Sequence, residues 1–136
     1  MFISSKGRYA LRVVVDIAER ETEDYIPLQE IADGQHLSEK YLESIVKSLV
    51  SGGVLEGQRG KGGGYKLSCP PEKCTVGEIL RLTEGELAPV SCVDKSIEQC
   101  ERRYECRSYP MWQGLDKMIS GYLDGFTIRD LMRNED

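Results

Sequence analysis

The stretch Ile31–Leu67, IADGQHLSEKYLESIVKSLVSGGVLEGQRGKGGGYKL, decides how the rest of the chain is read. It divides into a short helix, a turn, a second helix and two short strands joined by a glycine-rich tip. Ser38 stands where an N-cap is needed, because its hydroxyl accepts a free first-turn N–H. Leu42, Ile45, Val46 and Leu49 follow at i, i+3, i+4 and i+7, which is one apolar face of a helix. The opposite face carries Lys40, Glu43, Ser44 and Lys47. Gly52-Gly53 ends that helix. Val54-Leu55-Glu56 and Tyr65-Lys66-Leu67 then read as strands on either side of a turn that holds Arg59 and Lys61. Helix, turn, helix and basic hairpin in that order predict a winged helix-turn-helix, a shape that enters a major groove and grips the flanking phosphate.

Taken singly, these features are ordinary: an amphipathic helix with a polar outer face is a surface helix, and a glycine tip is a turn. Their order within one short segment carries the reading. A phosphate-cradling nucleotide loop competes for Gly57–Gly64, GQRGKGGG. It fails on context, since both nucleotide fingerprints need a helix after the glycines. Here Tyr65-Lys66-Leu67-Ser68 follows, and Pro70-Pro71 blocks a helix beyond it.

The 136 residues suffice for one domain with a core, or for a small domain with an appended arm. No apolar run approaches membrane-spanning length, and Asp16 and Glu19 interrupt the Leu11–Ala18 stretch that a signal peptide would need. A cytoplasmic protein with no membrane partner is expected. The net charge of -5 is unevenly spread. Residues 1–67 hold 9 Lys/Arg against 10 Asp/Glu, and residues 68–136 hold 9 against 13. Cations cluster at Lys6, Arg8 and Arg12 and at Arg59, Lys61 and Lys66. Phosphate binding follows local contacts, so the total neither supports nor excludes DNA.

In chain order, residues 3–20 predict a first helix, largely buried through Ala10, Leu11, Val13, Val14, Val15, Ile17 and Ala18. Ser4 or Ser5 with Lys6 and Arg8 at its start would offer N–H groups and charge to a phosphate, or simply a solvated helix start. Residues 21–27 read as a loop; Pro27 opens a short helix through Asp33 that Gly34 ends in the left-handed conformation. His36, the only histidine, falls in the turn as a polar or phosphate contact. Thr75-Val76-Gly77-Glu78 reads as a capping box opening a helix that ends near Gly85. Glu86–Tyr109 has no period and holds three of the five cysteines; a loop beyond about 12–15 residues is usually functional or disordered. Pro110 then starts the longest periodic segment, with Trp112, Leu115, Ile119, Tyr122, Leu123 and Phe126 on one face, widened by Met111 and Met118. That breadth exceeds what one small domain covers and predicts a dimerisation helix. Thr127-Ile128-Arg129-Asp130 opens a short last helix, and Asn134-Glu135-Asp136 is a frayed tail. Two related winged helices would read a palindrome with half-sites about one helical turn apart.

Cys92, Cys100 and Cys106 are spaced C-x7-C-x5-C. Structural zinc sites pair cysteines two to four residues apart, which this loop lacks, whereas wider thiolate spacing on a loop is compatible with an iron–sulfur cluster. Cys69 and Cys74, beside prolines at the exit from the hairpin, read as structural cysteines rather than a functional pair. No paired carboxylates and no Ser/His/Asp or Cys/His set with a credible helper stand out, so no enzyme is expected.

Over essentially its whole length the chain resembles the IscR/NsrR/CymR-type bacterial regulators, the Rrf-two family. The resemblance is carried by SSKGRYALRVVVDIA at Ser4–Ala18, by LSEKYLESIVKSLVSGGVLEGQRGKGGGYKL with its RGKGGGY wing, by TVGEIL, by the cysteine triad, and by CRSYPMWQGLDKMI with TIRDLM. It implies a mainly α fold with a small β-hairpin: a winged helix-turn-helix over 1–70, and a sensing loop with dimerisation helices over 71–136. It implies a homodimeric regulator of double-stranded DNA whose binding responds to an iron–sulfur cluster, often [2Fe–2S], on Cys92, Cys100 and Cys106. By the same resemblance Ser38, Glu39, Lys40, Tyr41 and Glu43 would face bases and phosphates, and Arg59 with the wing would reach the minor groove; Lys47, Lys61, Lys6 and Arg8, from their charge and position, complete the expected DNA-binding set. The IscR-like branch has a histidine three residues after its last cysteine, where this chain has Tyr109; the NsrR-like branch has a first-helix aspartate, where this chain has Arg8. The fourth ligand is then a nearby carboxylate such as Asp94 or Glu105, a small molecule, or none. The alternative is a cluster-free regulator of the CymR type, controlled by a partner protein or by thiol oxidation.

Overall fold

Ser4 begins the first helix as an N-cap, its hydroxyl accepting from Gly7 N–H at 3.3 Å, and α1 runs Ser5–Glu19. The computed structural model describes residues 3–133, so the expected frayed tail at Asn134–Asp136 lies outside the described residues. Gly7, Ala10, Val13, Val14, Ile17 and Ala18 are buried along α1, and the three valines are helical because that face is the centre of the core. Around it stand α2 (Leu28–Gln35), α3 (Glu39–Ser51) and α4 (Val76–Glu84). Leu42, Ile45, Val46 and Leu49 of α3 are essentially inaccessible, as their spacing predicts. Arg20 fastens α1 to α2, with Nε 3.2 Å from Asp16 and Nη1 2.7 Å from Glu30.

The hairpin is antiparallel, β1 (Leu55–Gln58) against β2 (Gly64–Leu67), in register Leu55 with Leu67 and Gln58 with Gly64. The expected loop 21–27 contributes more than a connection. Ile26 pairs with Tyr65 through two backbone hydrogen bonds, both 2.9 Å, and so sews the wing to the body from its other edge. A one-residue bridge has no period to read in a sequence.

Two helix ends differ from expectation. Gly34 stays helical and α2 extends to Gln35; His36 itself takes the left-handed conformation (φ 56°, ψ 43°), its N–H bonded to Asp33. Histidine is among the few residues that tolerate this region. At the start of α4 the Thr75 hydroxyl accepts from Glu78 N–H at 3.1 Å, one half of the predicted box. The reciprocal box is complete at α6 (Ile128–Leu131), where Thr127 and Asp130 cap each other.

Beyond α4 the chain makes one 3-10 turn, Ser91–Val93, then irregular turns, then α5 (Tyr109–Asp124) with Pro110 in its first turn. No residue of α5 is fully buried. The single broad face expected there splits in two. Trp112, Ile119 and Leu123 are half-buried, with Leu123 and Phe126 packed on Val76, Leu80 and Leu87. Met111, Leu115, Met118 and Tyr122 form a second, exposed stripe. Arg81 of α4 holds Asp124 at the end of α5 with both guanidinium nitrogens, at 2.7 and 3.1 Å. Among the described residues no helix is long and apolar enough to cross a membrane.

Candidate nucleic-acid interface and cysteine loop

The polar side of α3 is open. Ser38, Glu39, Lys40, Glu43, Ser44 and Lys47 are exposed while their apolar neighbours are sealed into the core. Ser38 spends its hydroxyl oxygen on Tyr41 N–H at 3.1 Å, fixing the helix start. Tyr41 is half-buried, its ring edge-on to Tyr9 at 6.0 Å between centroids. The Arg12 guanidinium lies 4.9 Å from the Tyr9 ring and donates to the Gln35 side chain at 3.1 Å. This Arg12–Tyr9–Tyr41 stack links α1 to the start of α3, a link that the grouping of Arg12 with nearby cations in the sequence does not reveal.

A groove of about 480 Å³ separates α3 from the wing, lined by Glu43, Lys47, Ser51, Gln58, Arg59 and Tyr65 among others. Gln58 and Tyr65 were not predicted here, and the strand register that turns them towards α3 is a tertiary property. Arg59 and Lys61 are exposed on the wing. Lys66 is not available in the same way: it is paired with Glu56 at 3.2 Å and stands 4.7 Å from the Tyr25 ring.

The α1 terminus is already taken. Ser4 N–H donates to the Glu84 carboxylate at 3.1 Å, and the Ser4 hydroxyl bonds the same oxygen. The anion expected at these N–H groups is therefore the chain's own Glu84, which suits the positive end of a helix. Lys6 reaches Ser48 of α3, Nζ to Oγ 3.4 Å, and Arg8 is exposed and donates to Ser5 Oγ at 3.2 Å.

The cysteine loop is a separate region. Cys92 is half-buried in the 3-10 turn that packs against α5, and Cys100 and Cys106 are exposed. Cys106 Sγ is 3.2 Å from Ser108 Oγ, and its thiol is drawn below the ordinary range by the Ser108 side-chain and backbone hydrogen bonds, with help from Tyr109 N–H and Arg102. Asp94 turns its carboxylate to Ser96, whose hydrogen bonds hold it below the usual carboxylate range. Three thiols on one loop match in kind the donors of a thiolate-held iron–sulfur cluster. In position they do not yet match, since no three metal-donor side chains are gathered together among the described residues.

Comparison with known proteins fits this geometry. A family profile described as Rrf2, iron-dependent transcriptional regulator, matches residues 3–134. The chain belongs to the Rrf2 family. This Rrf2 chain is 33% identical over 132 residues to the HTH-type transcriptional regulator IscR of Aliivibrio salmonicida, covering 97% of this chain and 77% of that one. It is similar in structure to CymR, the global cysteine regulator of B. subtilis, with a TM-score of 0.77, 33% identity and coverage of 100% and 99%. It is also similar to T. potens IscR, with a TM-score of 0.73, 30% identity and coverage of 96% and 85%. The Rrf2 chain is thus a transcriptional regulator of winged-helix type and not an enzyme.

Proposed function

We propose that a cytoplasmic homodimer of this Rrf2 chain binds a palindromic operator and that an iron–sulfur cluster on Cys92, Cys100 and Cys106 controls that binding. The observation that carries the DNA half is the exposed polar face of α3 set beside a groove containing Lys47 and Arg59. In this reading Lys40 and Glu43 face the major groove, Lys47 the phosphate beside it, Glu39 and Tyr41 its edge, and Arg59 and Lys61 the adjoining minor groove and phosphates. Lys6, held on Ser48, and Arg8 reach the backbone beside α1. Glu43 accepts from a cytosine amine and repels phosphate, so it selects sequence rather than adding affinity. Residues 1–70 then bind DNA and residues 71–136 sense and dimerise.

For the control half, three loop thiolates are the donors, and the cluster when bound supplies redox and ligand-exchange chemistry. Cys92 lies in the turn that packs on α5, so a rearranged loop bears directly on the helix whose exposed stripe would meet a second copy. A second reading, a cluster-free regulator governed by thiol oxidation or a partner, draws support from the likeness to CymR and from three thiols that stand apart.

Protein purified without oxygen is expected to be coloured, to contain iron and acid-labile sulfide, and to shift a palindromic duplex. Each of Cys92→Ala, Cys100→Ala and Cys106→Ala should remove the iron. Colourless, iron-free protein that still shifts the duplex overturns the cluster and favours the second reading. A separate result is expected for Lys47→Glu. Losing one phosphate contact lowers the slope of log K against log salt by about 1, and reversing the charge weakens binding by at least about tenfold at physiological salt. An unchanged salt slope by fluorescence anisotropy removes Lys47 from the interface.

A further inference from the structure

Cys69 and Cys74 lie outside the proposed cluster and outside the α3 face, yet the fold brings them together. They flank the turn Pro70–Lys73, which is closed by Lys73 N–H donating to the Pro70 carbonyl at 2.9 Å. Residues just outside such a turn face each other, and both side chains enter the main core, Cys74 buried and Cys69 half-buried. Burial, then the neighbouring Cys69 sulfur, push the Cys74 thiol up to about 12.

The position matters as much as the pair. Just before Cys69, Ser68 N–H donates to the Val54 carbonyl at 3.0 Å at the root of the wing. The carbonyl of Cys74 accepts from Ile128 N–H at 2.8 Å, that of Pro71 accepts from Arg129 N–H at 3.2 Å, and Val76 N–H donates to the Phe126 carbonyl at 2.9 Å. The segment between the two sulfurs is thus the joint by which the wing is attached to α4 and to the chain following α5.

We propose that Cys69 and Cys74 form a reversible dithiol–disulfide site, oxidised by a small-molecule disulfide, that sets the attitude of the wing. Cys69, the accessible partner, attacks one sulfur of the disulfide as a thiolate and expels the first small thiolate, leaving a mixed disulfide on Cys69. Cys74 then loses its proton, which passes to the expelled thiolate, and attacks the Cys69 sulfur, expelling the second. Two protein thiols become one disulfide and one small disulfide becomes two thiols, so atoms and electrons balance. The consequence for the operator rests on the DNA-binding reading above; the sulfur chemistry does not.

The test uses the full chain carrying Cys92→Ser, Cys100→Ser and Cys106→Ser, alongside the unaltered chain, each treated with glutathione disulfide and then alkylated. Trypsin cuts after Lys66, Lys73 and Arg81, so it separates the cysteines into peptides 67–73 and 74–81. Without reductant these peptides are expected to run as one disulfide-linked species, lost with dithiothreitol and absent in Cys74→Ser. A Cys69–glutathione adduct with Cys74 still alkylatable overturns the proposal. Anisotropy on the oxidised and reduced chain is expected to show an affinity difference of at least severalfold. Linked peptides with equal affinity in both states uphold the sulfur site and overturn its coupling to the wing. Linked peptides with no DNA binding in either state, nor by the unaltered chain before treatment, uphold the site and overturn the DNA-binding reading instead.

Discussion

Met118→Glu is expected to yield a folded monomer whose affinity for a palindromic operator is lower by about 10²–10⁴-fold, the factor lost when two tethered binding units are uncoupled. Met118 is 73% exposed and Tyr122 68%, so in the single chain the substitution removes almost no packing. Such a surface change costs within about 0.5 kcal/mol of stability. The exposed positions Met111, Leu115, Met118 and Tyr122 are spaced four, three and four, which is the seam of a helix that pairs with another helix. Among the described residues nothing lies within 4 Å of a Cβ added at Gly114 or Gly121, which flank that seam, so a second backbone has room to come close. In a two-fold pairing a glutamate at position 118 is buried without a partner, a cost of several kcal/mol that the association cannot absorb. Light scattering at micromolar concentration gives the mass, and circular dichroism checks the fold. A variant that remains a dimer assigns the contact to some other surface. One that becomes a monomer yet binds the full palindrome as tightly as before overturns the two-fold reading of the operator.

The elements that were legible in the sequence are those whose own residues repeat. The α3 face shows itself through Leu42, Ile45, Val46 and Leu49, and its cap through Ser38, because both are local and periodic. The hairpin was legible from its glycines and flanking strands, and the Thr127 cap from its spacing. What could not be read depends on residues far apart in the chain. Glu84 reaches back to Ser4 across eighty positions and takes the helix start expected to hold a phosphate. Ile26 is indistinguishable from any loop residue until Tyr65 is laid beside it. The apolar residues of α5 read as one broad face, but α4 and Leu87 cover only part of it and split it in two. The cations cluster by position in the sequence, yet pairing with Glu56 withdraws Lys66 and leaves Arg59 beside the groove. The cysteine triad is legible as chemistry, since thiols on a loop favour iron and zinc. Its assembly is not, because nothing in a spacing of seven and five fixes how the loop folds.

The second large effect concerns the wing. Gly64→Ala is expected to destabilise the protein by about 3 kcal/mol, from backbone strain of about 1–3 kcal/mol and loss of up to two backbone hydrogen bonds of about 1 kcal/mol each. Gly64 has φ 144°, and a Cβ there would lie 2.1 Å from the Ile26 carbonyl oxygen. That oxygen is backbone and already accepts from Tyr65 N–H, so it cannot move aside without opening the seam that holds β2 to the body. The melting temperature should fall by about 10 °C in a two-state melt, given the entropy of unfolding of a chain of this size. Gly60→Ala is the control. Gly60 also has a positive φ, 90°, but a Cβ there meets nothing within 4 Å, so it carries strain without collision and should cost about 1 kcal/mol. The gap between the two variants isolates the contact with Ile26. If both melt within a degree or two of each other, the wing is not fastened through Ile26. The groove between α3 and Arg59 would then be set by the hairpin alone. With the expected gap, Gly64→Ala also weakens DNA binding more than Gly60→Ala, because the groove-lining residues Gln58, Arg59 and Tyr65 lose their fixed distance from Lys47.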